Sequence, residues 1–277
     1  MYIPSRLSWT LAIFLAGCSS ARPPAERSIR VLVYNIHAGK DAQSKENLER
    51  VAELIRTSAA DLVLLQEIDR RTTRSGGADH FAMLMRLTGM HGAFGKSLDY
   101  QGGDYGIATL SRWPVVAHEV VPLRVAPVQV RAGGSIEPRV ALVVETRTPL
   151  GTLRVVNTHL DASREEVYRL QEVVGLFEMA KRLEPGPLLI GGDFNAEPGS
   201  GVHERMVRAG FRDGWIGCGE GGGLTYPAGA PVKRIDYLFL TGGFRCTSAT
   251  VVTSMASDHL PLLMTLESDR AMRRPRD

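Results

Sequence analysis

Residues 188–198 read LLIGGDFNAEP. Leu188, Leu189 and Ile190, closed by two glycines, form an apolar run of buried-strand length. That strand runs straight into Asp193, with Asn195 in the turn beyond it. A strand end held by a sheet is a rigid platform, and two polar side chains stand on this one. The same arrangement recurs along the chain. Residues 31–36 (VLVYNI) carry Asn35 and residues 62–67 (LVLLQE) end on Glu67. The strand expected at 153–159 ends on His159. Strands expected at 235–240 and 260–266 lie beside Asp236 and beside Asp258 and His259.

Between these strands the apolar spacing changes period. Residues 46–58 (ENLERVAELIRTS) place Leu48, Val51, Ala52, Leu54 and Ile55 on one helical face. Residues 79–88 and a short stretch at 204–209 also read as helices. Residues 164–183 read as a long helix with its apolar stripe through Val167, Leu170, Val174 and Phe177. Further strands are expected at 106–111 and 141–146. Short loops join some strands and helices join others, which indicates an α+β fold with mixed sheets and helices outside. No repeat of 20–50 residues is present. No internal change of composition divides residues 29–267, so they read as one domain.

The composition limits the function classes. The chain has 277 residues and a formal charge of +3, from 33 basic and 30 acidic residues. Setting aside Arg6 and the tail from Glu267, with four Arg against three acids, leaves about +1. A near-neutral body does not advertise a polyanion-binding surface, although a local basic groove is compatible with it. Only three cysteines occur, Cys18, Cys218 and Cys246, and a cysteine-based zinc site is not expected. Cys218 and Cys246 would pair in an oxidising compartment, and two free buried thiols are the alternative.

The amino terminus reads as an address. Arg6 precedes an apolar run of about signal-peptide length, and Leu15-Ala16-Gly17-Cys18 resembles a bacterial lipobox. The expectation is a lipoprotein signal over 1–17, acylation of Cys18 and a Ser/Ala/Pro-rich tether over 18–28. A plain secretory signal is the other reading. The protein is then exported and anchored by lipid on the periplasmic or cell-surface side. Residues 268–277 read as a basic disordered tail. The domain is expected to be a monomer.

The strand-end residues suit phosphoester hydrolysis. That reaction must neutralise a cluster of charged oxygens, activate water and stabilise a leaving oxygen. Hard oxygen ligands such as Glu67 and Asp258 suit Mg²⁺ or Mn²⁺. His159 and His259 could donate to phosphate oxygens or move protons. Asn35 and Asn195 could hold water, metal or phosphate without adding charge. Each also has a plain reading, as a turn residue, a solvated strand-end acid or a structural histidine.

Taken in order, VLVYNIHAGK, DLVLLQEID, YGIATLSRWP, VNTHLDA, GGDFNAEP, RIDYLF and SDHLP resemble the endonuclease/exonuclease/phosphatase family. That family includes deoxyribonuclease-like nucleases, sphingomyelinases and inositol-phosphate phosphatases. The resemblance runs from Ile29 to Leu266. It implies a four-layer αββα sandwich of two mixed sheets with the site at one edge. It implies metal ligation by Glu67, with Asn35 and Asp258, and catalytic roles for His159, Asp193, Asn195, Asp236 and His259. Asp193 would direct water, while Asp236 would orient His259, acting as base or as phosphate-binding cation. Arg139 would support the site and Tyr105 would face substrate. The segment 98–105 reads either as a substrate-edge loop with Tyr100 or Tyr105 stacking on a base or sugar, or as a Gly-rich hairpin.

Two departures qualify the resemblance. Ile107 stands where many relatives carry Asn, so a polar contact there is lost. His37 is unusual among nucleases and reads first as a turn residue. The expectation is therefore a divalent-metal-dependent hydrolase of phosphate esters, with a phosphodiester preferred as substrate. A phosphomonoesterase of sugar or inositol phosphates, and a non-catalytic binding protein on the same fold, are the alternatives. Nucleic acid is compatible as a substrate but is not indicated by charge.

Overall fold

The computed structural model describes residues 28–130, 136–183 and 186–268. The expected leader, Cys18, the tether and the tail lie outside the described residues, except that Ser28 and Ser268 are strand residues. In chain order the strands are β1 (Ser28–Asn35), β2 (Leu62–Arg70), β3 (His91–Tyr100), β4 (Gly103–Ser111), β5 (Val115–Leu123) and β6 (Arg139–Thr148). They continue with β7 (Gly151–His159), β8 (Leu188–Asp193), β9 (Arg212–Asp213), β10 (Asp236–Leu240), β11 (Phe244–Val251) and β12 (Leu262–Ser268). The helices are α1 (Leu48–Thr57), α2 (His80–Thr88), α3 (Val167–Arg182) and α4 (Gly201–Arg208).

Two six-stranded sheets result, in the orders β11-β12-β1-β2-β4-β3 and β5-β6-β7-β8-β10-β9. Each holds one parallel pair at its centre, β1 with β2 and β7 with β8. A parallel pair needs a long crossover. Helices α1 and α3 supply the two crossovers. The sheets are therefore mixed, and the helices fall outside them.

Strand alternation builds the layers. Leu32, Tyr34 and Ile36 point away from the second sheet and pack on Val51 and Ile55 of α1 and Leu84 of α2. Val31 and Val33, the alternate residues, join Leu64, Val155, Leu189 and Leu238 between the sheets. On the far side Val156, Ile190 and Tyr237 pack on Val173 and Leu176 of α3 and Met206 of α4. The four-layer αββα sandwich follows from these three apolar layers.

The stripe expected on α3 needs correction. Val167 and Val174 are exposed, and the buried face runs through Arg169, Glu172, Val173, Leu176 and Met179. Two charged residues occupy the buried face because they serve the loop before the helix. Glu172 accepts from the Asp161 amide at 2.8 Å, and Arg169 donates to the carbonyls of Asp161 and Ser163. The segment 98–105 forms the β3–β4 hairpin, turning at Gln101 and Gly102 with φ of 46° and 78°. Cys218 and Cys246 are joined as a disulfide.

Candidate active site

The site is the polar upper end of the layer between the sheets. The same alternation that places Val33, Val155, Leu189 and Leu238 there carries Asn35, Asn157, Asp193 and Asp236 onto the inter-sheet side. Its floor is made by Gln66 and Asn157, both fully buried. In the pairing of β2 with β4, the register shifts between Leu65 and Ile68, so Gln66 and Glu67 together face Ile107. This bulge leaves carbonyls without ladder partners. Asn157 answers by donating across the sandwich to Leu65 O at 2.9 Å and Ala108 O at 2.8 Å. Gln66 Nε2 donates to Asn157 Oδ1 at 2.7 Å. Ile107 fills its side of the bulge with apolar packing against Leu142 and Val144.

Above the floor, Asp193 stands at the centre. Its Oδ2 accepts from Asn35 Nδ2 at 3.1 Å and lies 3.5 Å from His159 Nε2 and 3.6 Å from His259 Nε2. Its Oδ1 accepts from the Asn195 amide at 2.9 Å. Asn35 Nδ2 also donates to Glu67 Oε1 at 3.0 Å, tying the first sheet's carboxylate to the second sheet's. His259 Nδ1 lies 2.9 Å from Asp236 Oδ2, which leaves Nε2 facing Asp193. Asn195 is anchored by donating to Leu160 O at 3.0 Å.

The backbone is held in unusual conformations at these positions. Glu67 has φ of 59° and Asn195 has φ of 48°, both in the left-handed region. Non-glycine residues remain there when surroundings over-determine them, and such strain clusters at functional sites. Gly192, with φ of 142°, precedes Asp193, and a Cβ on it would meet Thr158 O at 1.9 Å. Only glycine lets β8 lie this close to β7.

The protonation pattern follows from burial and charge. Burial raises the Asp193 carboxyl to about 7, although His259 partly opposes the shift. Burial alone would lower the His259 imidazole, but Asp236, Asp193 and the Asp236 hydrogen bond outweigh it and raise the group to about 10.

The remaining expected residues line the same cleft of about 930 Å³. Glu67 and Asp258 are partly exposed on its wall. Ser257 Oγ donates to Asn35 O at 2.8 Å and lies 3.2 Å from Asp258 Oδ1, joining the β12 approach to the end of β1. Arg139 is buried and pairs with Glu137 at 2.8 Å. Tyr105 is nearly buried, with one ring face covered by Arg74. His37 sits in a turn with φ of 49°, its Nδ1 3.9 Å from Asp258, and does not line the cleft.

Three contributors lay outside the sequence reading. Tyr226 packs its ring 4.8 Å from that of His259. Gln66 and Asn157 form the floor. A buried polar residue in an apolar run was the available signal for Gln66 and Asn157; the loop tyrosine gave none.

The donor set fits a hard divalent cation. The Tyr226 hydroxyl is raised first by burial and then by Asp258, Asp193 and Glu67, so three carboxylates act on one region of the cleft. Buried Asp236 Oδ1 has no hydrogen-bond partner among the described residues. Asp193, Asp236 and His259 present ligand atoms within 4.8 Å of one another. Within that trio Asp236 Oδ2 already lies 2.9 Å from His259 Nδ1. The carboxylate oxygens of Glu67 and Asp258 match Mg²⁺ or Mn²⁺, whereas the expected ligation by Asn35 needs correction, because its Nδ2 faces Glu67 and Asp193 and its Oδ1 accepts from the His37 backbone amide at 3.0 Å.

Known proteins share this architecture. The uncharacterized protein YbhP of Escherichia coli K12 is 26% identical over 253 residues, covering 85% of this chain and 94% of YbhP. A Beutenbergia cavernae endonuclease/exonuclease/phosphatase superposes with a TM-score of 0.68 at 25% identity, over 87% of this chain and 72% of that one. The catalytic domain of human Nocturnin, with bound sulfate, gives 0.68 at 21% identity over 90% and 100%. A mannosyl-6-phosphatase from Bacteroides thetaiotaomicron gives 0.70 at 17% over 86% and 99%; at these lower identities the likeness is one of fold. Residues 32–259 match the Endonuclease/Exonuclease/phosphatase family, spanning every strand-end residue from Asn35 to His259, and the chain belongs to that family.

Proposed function

We propose that the protein is a divalent-metal-dependent hydrolase that cuts a phosphodiester by in-line attack of water. The observation that carries this reading is the convergence on Asp193 Oδ2. Asn35, His159 and His259 all face that one oxygen, while Asp236 holds the opposite nitrogen of His259.

Asp193, poised at about 7, accepts the proton of the attacking water near neutral pH. Its amide contact from Asn195 and its bond from Asn35 fix the direction in which it accepts. His259, held cationic by Asp236, presents Nε2–H to a phosphoryl oxygen, where charge develops. His159 presents Nε2 from the neighbouring strand to the same region. Glu67 and Asp258 would hold the metal, and Asn35 would orient Glu67 through its Nδ2 bond. A bound divalent cation would neutralise charge on the phosphoryl group and lower the cost of attack.

The reading is tested with bis-(p-nitrophenyl) phosphate beside p-nitrophenyl phosphate, each with Mg²⁺, Mn²⁺ or a chelator. Chelator-sensitive diester cleavage is expected. Preference for the monoester would move the substrate to sugar or inositol phosphates. Turnover of neither, by folded protein that binds metal in calorimetry, would favour the binding-protein reading.

We also infer export as a lipid-anchored protein through Cys18. The disulfide between Cys218 and Cys246 supports an oxidising compartment. Labelling with a palmitate analogue, lost in Cys18→Ser, is the expected result, and a cleaved, unlabelled amino terminus would contradict it.

A further inference from the structure

One guanidinium on the cleft wall has no part in the chemistry above. Arg74 follows β2 in a short helical turn and lines the cleft together with Glu67, Tyr100 and Tyr105. Fully buried Asp69 takes one edge of its fork, with Nε donating to Oδ2 at 2.6 Å and Nη2 to Oδ1 at 2.8 Å. Asp69 is itself fixed by Thr72 Oγ1, which donates to Oδ2 at 3.0 Å. The guanidinium stacks over the Tyr100 ring at 4.6 Å and the Tyr105 ring at 5.2 Å. Its backbone amide donates to Gln101 Oε1 at 2.9 Å, tying the turn to the β3–β4 hairpin.

This side chain is immobilised on three sides. Yet a guanidinium has five N–H donors, and Asp69 takes two. Nη1 makes no hydrogen bond among the described residues, and the side chain keeps about a third of its surface exposed. A fork held flat by a buried carboxylate and two rings, with its outer edge open, is pre-organised for a planar or tetrahedral anion. Arg70, the last residue of β2, shows the contrast, since both ends of its pairing go to Asp79 and it does not line this cleft. Tyr105 lines the same cleft wall as Arg74 and Glu67.

We propose that Arg74, clamped by Asp69, Tyr100 and Tyr105, forms a second anion subsite, and that the substrate carries a second anionic group, phosphate or carboxylate, besides the ester that is cut. The inference rests on the reading of the cleft as a phosphate-ester site. Because Asp69 balances the charge of Arg74, recognition comes from directed hydrogen bonds more than from net charge. It also explains why no basic surface is needed for an anionic substrate.

The test is calorimetric binding of three probes on matched carbon skeletons, with Ca²⁺ in place of Mg²⁺. The probes are glucose 6-phosphate, 6-phosphogluconate and glucose 1,6-bisphosphate. The first has one anionic group, the second adds a carboxylate and the third adds a phosphate. Tighter binding of one or both two-anion probes, by about tenfold over glucose 6-phosphate, is expected, and their ranking names the anion. Arg74→Gln should bring that ratio close to one, and Arg74→Lys should leave it intermediate. The double variant Asp69→Asn/Arg74→Gln leaves no buried carboxylate unpaired and should give the same loss if the single variant folds poorly. No preference in the wild type, a preference that survives in both glutamine variants, or no binding of any probe by protein with native circular dichroism would overturn the proposal. Turnover of bis-(p-nitrophenyl) phosphate and p-nitrophenyl phosphate with Mg²⁺ is measured separately. Preference without turnover would sink the hydrolase reading alone, and turnover without preference would sink the subsite alone.

Discussion

At the scale of single residues, the account turns on a cation and a carboxylate that share a buried space. His259 is kept protonated by Asp236 and Asp193 against the pull of burial. Asp236→Asn should lower its titration toward the ordinary histidine range and reduce kcat/KM by roughly 10²–10⁴. A histidine-selective NMR titration of the metal-free protein reads the first effect, and an unchanged His259 would contradict it. Asp193 is raised too, but by burial, which disfavours its charged form. Its folded value of about 7 lies above the ordinary 3.8, so its favourable contribution is complete below about 3.8 and is lost as pH rises to about 7. Asp193→Asn should therefore gain melting temperature relative to wild type between pH 5 and pH 8 while losing activity. A constant difference across that range would show that the carboxylate is not destabilised. These residues were legible as types at strand ends. What could not be read was which of them touch, because Asn35 and Asp193 are 158 positions apart and meet only once the two sheets face each other.

At the scale of elements, the strands that carry the site were legible because each is a short, continuous apolar run. Strands β3, β5 and β11 were not expected, for physical reasons. β5 is a sheet edge with Val116 and Val120 exposed, so it lacks a buried face to print a pattern. β3 is an edge strand interrupted by Gly92 and Gly95, and β11 is mostly exposed and polar. The α3 stripe misled because Arg169 and Glu172 are buried to serve the loop after His159. The bulge at Gln66 and Glu67 has no local signal either, since its carbonyls are answered from the other sheet. The close approach of β7 and β8 gives a prediction at this scale. Gly192→Ala places a methyl against Thr158 O and adds strain at a left-handed φ, and should cost about 3 kcal/mol or more. Denaturant unfolding measures it, and a loss under about 1 kcal/mol would mean that β8 shifts freely.

At the scale of the whole molecule, the two sheets act as a vice, with each supplying part of one site. Glu67 and Asn35 come from the first sheet, Asp193, Asp236 and His159 from the second, and His259 from the approach to β12. The disulfide Cys218–Cys246 ties β11 to the loop after β9, at the outer part of the same sandwich and away from the cleft. Closing a chain segment of 28 residues, it should contribute about 3.5 kcal/mol. Reduction should lower the melting temperature without abolishing turnover; loss of turnover in protein that stays folded would tie the bond to the site. The central claim is that Asp193, held by Asn35 and both histidines, drives ester hydrolysis. Its most direct test is turnover of bis-(p-nitrophenyl) phosphate by wild type and by Asp193→Asn, both shown folded and both saturated with Mg²⁺. Chelator-sensitive turnover is expected in the wild type, with a loss of roughly 10³ or more in the variant. Turnover in the variant within a few-fold of wild type would contradict it.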